Sequence, residues 1–223
     1  MKVSEALDSR LSVRGFLPKP VPVETIKAIL EVAKRAPSGG NLQPWHVHVV
    51  TGAVLDEIKA TIKARLADSP TGEGTEYQIY PPKLTEPYRT RRFRVGEQLY
   101  ESIGIERDNK FGRLMQFAYN FEFFGAPAAL FFSIDRQMQQ GQWADLGMFM
   151  QSIMLLAREH GLDTCAQEAW AIWHKTLGAY LKLPDNLMLF AGMSLGYRDP
   201  DNPINNFRSE RAPLEEFTTF LGD

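Results

Sequence analysis

A chain of 223 residues is long enough for one full hydrophobic core and does not require a second. With 44% hydrophobic and 23% charged residues it has the balance of an ordinary globular domain, and no stretch approaches the roughly 20 apolar residues that cross a bilayer, so no membrane partner is expected. A formal net charge of -2 argues against general nucleic-acid binding, and the lone cysteine, Cys165, excludes an intramolecular disulfide framework and fits a reducing, cytoplasmic compartment.

The opening segment, MKVSEALDSRLSVRGF, carries charge throughout and lacks the apolar run of a secretory signal. Residues 3–9 within it read as a short helix. Pro18, Pro20 and Pro22 then force an extended link. Ile26, Ile29, Leu30 and Ala33 share one face of an amphipathic helix that stops before Pro37, and Ser38-Gly39-Gly40-Asn41 reads as a loop. Residues 45–50 alternate Val47 and Val49 with polar neighbours, which predicts a strand. Residues 54–67 place Leu55, Ile58, Ile62 and Leu66 in helical register. Residues 68–110 have no clean period and are rich in Pro, Gly and charge, so they are expected to form a partly helical, mobile insertion or lid.

Residues 128–134 form a strongly apolar strand candidate. Residues 144–160 carry the clearest helical pattern, with Leu146, Phe149, Ile153, Leu156 and Ala157 inward and Gly161 at the capping position. This helix is apolar nearly all round and is expected to be buried. A short helix over 175–181 and a buried strand over 187–195 follow. The tail carries Pro200, Pro203 and Pro213 and then turns apolar over 217–221. Strands and helices mix without strict alternation, which indicates an α+β fold in a single domain over 1–223.

Two constellations could carry chemistry. Arg10, Ser12 and Arg14 share parity, so an extended segment projects all three the same way. Two guanidiniums flanking a hydroxyl suit a phosphate, while the alternative is a solvated polar turn. In Pro37-Ser38-Gly39-Gly40-Asn41-Leu42-Gln43-Pro44-Trp45 the glycines let backbone approach a planar ligand, and Ser38, Asn41 and Gln43 offer hydrogen bonds. The same loop also reads as an ordinary helix-to-strand turn.

Other residues point to plainer roles. His46 and His48 form a pair on one strand face with no third metal ligand nearby in sequence, so no metal is expected. Cys165 is expected in the core, and Trp170 and Trp173 suit a pocket wall or the core equally. The run Tyr88-Arg89-Thr90-Arg91-Arg92-Phe93-Arg94 is either an attractor of anionic substrates or a solvated helix face. With no glycine-rich dinucleotide fingerprint, a nicotinamide would visit rather than reside in a Rossmann site.

SRLSVRGF, followed by APSGGNLQPWHVHVV, resembles the nitroreductase family of FMN proteins, and so do Arg208 and Arg211 in NFRSERAP. The resemblance covers nearly the whole chain and is weakest over 68–110. It implies an α+β sandwich, a central mostly antiparallel sheet flanked by helices, in an intertwined homodimer with FMN at the subunit interface. Arg10 and Ser12 then match positions that hold the FMN phosphate, with Arg211 as the C-terminal phosphate ligand and Arg208 beside it. Arg14 matches a basic residue near the flavin pyrimidine edge. Pro37, Ser38 and Asn41 match the loop that the second subunit lays against the flavin. Gln167-Glu168-Ala169 resembles the segment whose backbone N–H meets flavin N5, although many members have glycine where Ala169 stands. The arm from about residue 199 is expected to pack on the partner subunit.

The implied activity is FMN-dependent oxidation of NADH or NADPH by a ping-pong mechanism. The acceptor would be a nitroaromatic, reduced to nitroso and then hydroxylamine, or a quinone-like compound. No side chain is required as a covalent catalyst. Flavin reduction, dehalogenation or dehydrogenation on the same scaffold, and FMN binding without turnover, remain open alternatives.

Overall fold

The computed structural model of the chain describes residues 1–222. At its centre is strand β2 (Ala128–Asp135), whose residues are buried up to Ile134. So apolar a strand needs cover on both faces. It pairs antiparallel with β1 (His46–Thr51) on one side and β4 (Leu187–Gly196) on the other, and β3 (Asp163–Gln167) closes the four-stranded sheet in the order β1-β2-β4-β3. The register places Leu130 opposite both Val49 and Met193, and Ala166 opposite Met193.

Alternation along β2 then sorts the layers. Ala128, Leu130, Phe132 and Ile134 face a core shared with α2 (Val23–Ala33) and α6 (Gln140–Glu159). Ala129 and Phe131 face a second core, shared with α3 (Gly52–Leu66) and the aromatic 3-10 turns 119–125 and 168–173. In that second core Trp170 stacks on Phe123 at 4.2 Å and lies over β4, where a Cβ on Gly192 would come within 2.4 Å of its ring. Glycine is required there for close approach. The sheet sandwiched between two helical layers is the α+β architecture expected.

The remaining helices are α1 (Val3–Ser9), α4 (Tyr88–Glu101), α5 (Lys110–Ala118), α7 (His174–Tyr180) and α8 (Leu214–Phe217). Three features depart from the sequence reading. Strand β3 escaped it because DTCAQ shows no apolar alternation; its buried polar groups are satisfied by tertiary partners instead. Asp163 takes ion pairs from Arg158 at 2.8 Å and Arg198 at 2.7 Å. Helix α5 escaped it although Phe111, Leu114, Met115 and Ala118 hold helical spacing. Finally, α6 is not buried all round. Leu146, Phe149, Ile153 and Ala157 lie in the core, whereas Met148 on the opposite flank is 41% exposed.

The tail is tethered before it leaves the body. The Asn202 side chain caps the 3-10 turn 203–206, and Ile204 and Asn205 are buried against their own chain. From Asn206 onward the arm runs over α4, where Glu210 and Glu216 meet Arg94 and Arg91. Its apolar end finds no cover there: Phe217 is 70% and Leu221 93% exposed. No helix among the described residues is long and apolar enough to cross a membrane.

Candidate functional site

The segment after α1 is extended, with Ser12 bridging Thr164 of β3 and the Val13 N–H donating to the Thr164 carbonyl at 3.1 Å. Val13 is fully buried and Leu11 packs on the same core, so alternation drives Arg10, Ser12 and Arg14 to the opposite side. There they line a cavity of about 460 Å³ together with Arg208, Ser209 and Arg211. The tail returns to this point through Asn205. Its Oδ1 accepts the Arg14 N–H, and its Nδ2 donates to the carbonyls of Gly15 and Asp199.

The electrostatics of this cavity favour an anion. Burial pulls the Arg10 pKa down, and the nearby Arg211 and Arg208 add to the effect. The guanidinium stays charged, so the cluster stores like-charge repulsion that an anion would relieve. Arg208 is partly compensated by Asp8 at 2.7 Å. Among the described residues the Arg211 side chain bonds only to Ser209 and the Glu210 carbonyl, and that of Arg14 to the Ser12 carbonyl.

Arg14 is also a wall of a second cavity, of about 630 Å³. Gln167, Glu168 and Ala169 form part of its lining where β3 ends, and Ile79, Tyr80, Phe117, Met150, Met154, Ile172 and Phe190 make it largely apolar. Gln167 is locked on both sides of its amide: Oε1 accepts from Ser194 Oγ at 2.6 Å, and Nε2 donates to the Asn120 carbonyl at 2.8 Å. That lock fixes the backbone of residues 167–169. Burial pushes the Glu168 carboxyl pKa up, and no cation pairs with it among the described residues. Burial and Glu168 together raise the pKa of Tyr77, whose hydroxyl donates to the Phe190 carbonyl at 2.6 Å.

Thus Arg10, Ser12, Arg14, Arg208 and Arg211 meet in one chamber, and Gln167 and Glu168 join Arg14 in the next. Pro37, Ser38 and Asn41 line neither chamber. Their loop is nevertheless preformed. The Gly39 N–H donates to Asp145 of α6 at 3.1 Å, Ser38 Oγ accepts the Gln43 N–H at 3.0 Å, and Asn41 and Gln43 hold left-handed φ of 57° and 50°. Such conformations in residues other than glycine persist only when their surroundings enforce them.

Several wall residues carry no local signal in the sequence. Asn120, Ile79 and Tyr80 come from irregular segments, and Asn205 lies far from the residue it fixes. Met150 and Met154 do show helical spacing on α6, Met150 buried in the core and Met154 packed against it. Trp170 and Trp173 prove to be core residues, fully buried, while Ile172 between them lines the cavity. Cys165 is buried, which pushes its thiol pKa up. Burial, then the neighbouring His46, lowers the His48 pKa. No metal-holding cluster of His, Cys, Asp and Glu occurs among the described residues. In the arginine run, Arg89 pairs with Glu86, Arg91 with Glu216 and Arg94 with Glu210, whereas Arg92 lies over the Tyr80 ring, 4.0 Å from its centroid.

Comparison with known proteins places this geometry among relatives. The family model described as the nitroreductase family matches residues 7–197. The chain is 40% identical over 219 residues to a chloronitrobenzene nitroreductase of Comamonas testosteroni, covering 98% of this chain and 96% of that one. It is 37% identical over 214 residues to a 4-nitrobenzoate reductase of Pseudomonas putida, covering 96% and 93%. Among solved structures it is similar to the FMN and NADPH-dependent nitroreductase NfnB from sphigopyxis sp. strain HMH, with 46% identity, full coverage of both chains and a TM-score of 0.97.

Proposed function

The chain belongs to the nitroreductase family, and from that premise we propose that it is an FMN-dependent oxidoreductase that uses NADPH or NADH to reduce small nitroaromatic or quinone-like compounds. The observation that carries this reading is Arg14, the common wall of a cationic chamber and an apolar one. FMN has that same division, a phosphate on one end and a flat ring on the other. The residues fit the group on their own evidence: Arg10 is crowded by Arg211 and Arg208, which leaves uncompensated positive charge in a partly buried cradle.

When bound, FMN would supply reversible two-electron chemistry between a reduced nicotinamide and an acceptor. Arg10, Ser12 and Arg211 would hold the phosphate through charge-assisted hydrogen bonds, and Arg208 would add to the field. Arg14, lining both cavities, would place a cation where the phosphate and ring ends meet. The Gln167 lock to Ser194 and Asn120 presents the backbone of residues 167–169 to the ring chamber in one geometry. Ile79, Phe117, Met150 and Phe190 give that chamber a mostly apolar wall, against which a ring that displaced water would strengthen the electrostatic contacts beside it. Glu168 holds a proton there to a higher pH than an exposed carboxyl would.

The assembly in this reading is a homodimer. Three observations support it: the uncovered apolar end of the arm, the open flank of α6, and a rigid loop holding Pro37, Ser38 and Asn41 away from the chambers of their own chain. That loop would serve the partner's flavin. A free, buried Cys165 suits a reducing cytoplasm.

The test is steady-state oxidation of NADPH and NADH by the FMN-loaded protein, with nitrobenzene, with a benzoquinone and with no acceptor. Acceptor-dependent turnover is expected. Tight FMN binding with no turnover on any acceptor would overturn the proposal in favour of a flavin carrier.

A further inference from the structure

Helix α4 presents four guanidiniums, Arg89, Arg91, Arg92 and Arg94, and they do not share one fate. Three are neutralised by carboxylates: Glu86, Glu216 and Glu210 respectively take Arg89, Arg91 and Arg94. Arg92 has no carboxylate partner among the described residues and lies instead over the ring of Tyr80. Tyr80 is half of a pair, Ile79-Tyr80, that walls the second cavity, and at 51% exposure it stands at the opening.

A guanidinium held by an aromatic face keeps its N–H donors free, because they project from the edge of the plane. Those donors form the fork that fits a carboxylate or a phosphate monoester. The cavity behind Tyr80 has the opposite preference. Its walls are mostly apolar: Arg14, which it shares with the first cavity, is the one cation among the described residues that line it, and Ile79, Phe117, Met150, Met154, Ile172 and Phe190 offer an anion no partner. A molecule entering this chamber would therefore leave a charged end at Arg92 and send an uncharged end inward.

We propose that Arg92, seated on Tyr80, is an anion-recognition subsite at the mouth of the ring chamber, selecting visiting molecules that carry a carboxylate or a phosphate monoester remote from the reacting group. The assignment rests on the functional reading above. One chemistry has two sources here: the extra phosphate that distinguishes NADPH from NADH, or the carboxylate of a substituted nitroarene.

The experiment compares charged and neutral members of each pair on the FMN-loaded protein. Dissociation constants for NADP+ against NAD+, and for 4-nitrobenzoate against nitrobenzene, are measured by calorimetry, and KM values for the same pairs by turnover. Arg92→Ala is expected to cut the preference for the charged member of at least one pair by about two- to fivefold, as for loss of an exposed ion pair. The pair that responds identifies the source. Tyr80→Leu should shift the same pair in the same direction, Arg92→Lys should fall between, and Arg89→Ala should leave both preferences as they are. The preference should also decline with salt, since both groups are exposed.

Unchanged preferences in both pairs, in an Arg92→Ala protein that retains its FMN, would overturn the subsite. An equal loss for charged and neutral members would overturn it too, as the mark of a structural role. A wild-type protein that turns over no acceptor would defeat the functional reading alone, because the calorimetric preferences would still report on Arg92.

Discussion

Asn205 and Arg14 stand 191 positions apart, yet the Asn205 side chain accepts the Arg14 backbone N–H at 3.0 Å. The same amide donates to Gly15 at 2.8 Å and Asp199 at 2.9 Å, so every polar atom of a buried side chain is used to tie the tail to the cationic chamber. The fit is tight: a Cβ on Gly15 would lie 2.3 Å from Asn202. Asn205→Ala orphans the Arg14 N–H and the Asp199 carbonyl, while the Gly15 carbonyl keeps the Asp199 N–H at 3.1 Å, and it is expected to cost about 1–3 kcal/mol of stability, with weaker retention of FMN. Asn205→Asp keeps the acceptor for Arg14 but turns a carboxylate oxygen on two carbonyls, so it should not restore the wild type. Urea unfolding and flavin fluorescence titration check both.

Phosphate recognition separates from ring recognition if FMN is compared with riboflavin. Arg10→Ala and Arg211→Ala are each expected to remove about 1.5–3 kcal/mol of FMN binding, roughly ten- to hundredfold in Kd, while riboflavin binding changes little. Arg208→Ala should do less, because Asp8 already offsets part of its charge. Equal losses for FMN and riboflavin would place the cluster somewhere other than at the phosphate.

Glu168 gives stability a defined pH slope. Burial raises its pKa in the folded chain, so the native state binds that proton more tightly than the unfolded state does. Its contribution is favourable below the unfolded value of about 4.3 and is lost as pH rises through the window up to the raised native value. Above that window the wild type bears the full cost of a buried charge. Glu168→Gln removes the cost, so its urea midpoint should match the wild type at about pH 4 and exceed it at about pH 8. A difference that is the same at both pH values would show that the carboxyl does not titrate in this way.

The arm after Asn206 can be removed without disturbing Ile204 and Asn205, which belong to the body. Ending the chain there deletes Arg208, Arg211 and the exposed apolar end in one step. Dimer mass by light scattering and bound flavin should fall together. A truncated protein that remains dimeric and yellow would show that the arm serves neither purpose.

How far the sequence carries such an account depends on whether a signal is local. Arg10, Ser12 and Arg14 were legible because alternation is a two-residue pattern and Val13 between them must be buried. The sheet was legible in β1, β2 and β4, where apolar runs or alternation mark strands. It was not in β3, because Asp163, Thr164 and Gln167 are buried polar residues whose partners, Arg158, Arg198, Ser194 and Asn120, lie elsewhere in the chain. The second cavity was legible only at Arg14 and, by resemblance, at Gln167-Glu168-Ala169. Tyr80, Asn120 and Phe117 reach it from segments with no common spacing, and Asn205 acts on a residue almost the length of the chain away. The arginine run shows the same limit: composition marks a charged helix, but only the fold separates Arg92 from its carboxylate-paired neighbours.

The central claim is that the two chambers sharing Arg14 hold a flavin that carries electrons from a nicotinamide to a nitro group. An anaerobic half-reaction test addresses it most directly. The yellow protein is first bleached with NADPH, freed of nucleotide, and then mixed with nitrobenzene. The account predicts bleaching in the first step and return of the yellow colour in the second, with two equivalents of NADPH consumed per nitrobenzene converted to its hydroxylamine over repeated cycles. A protein that binds no FMN, or one whose reduced flavin stays bleached in the presence of nitrobenzene, would contradict it.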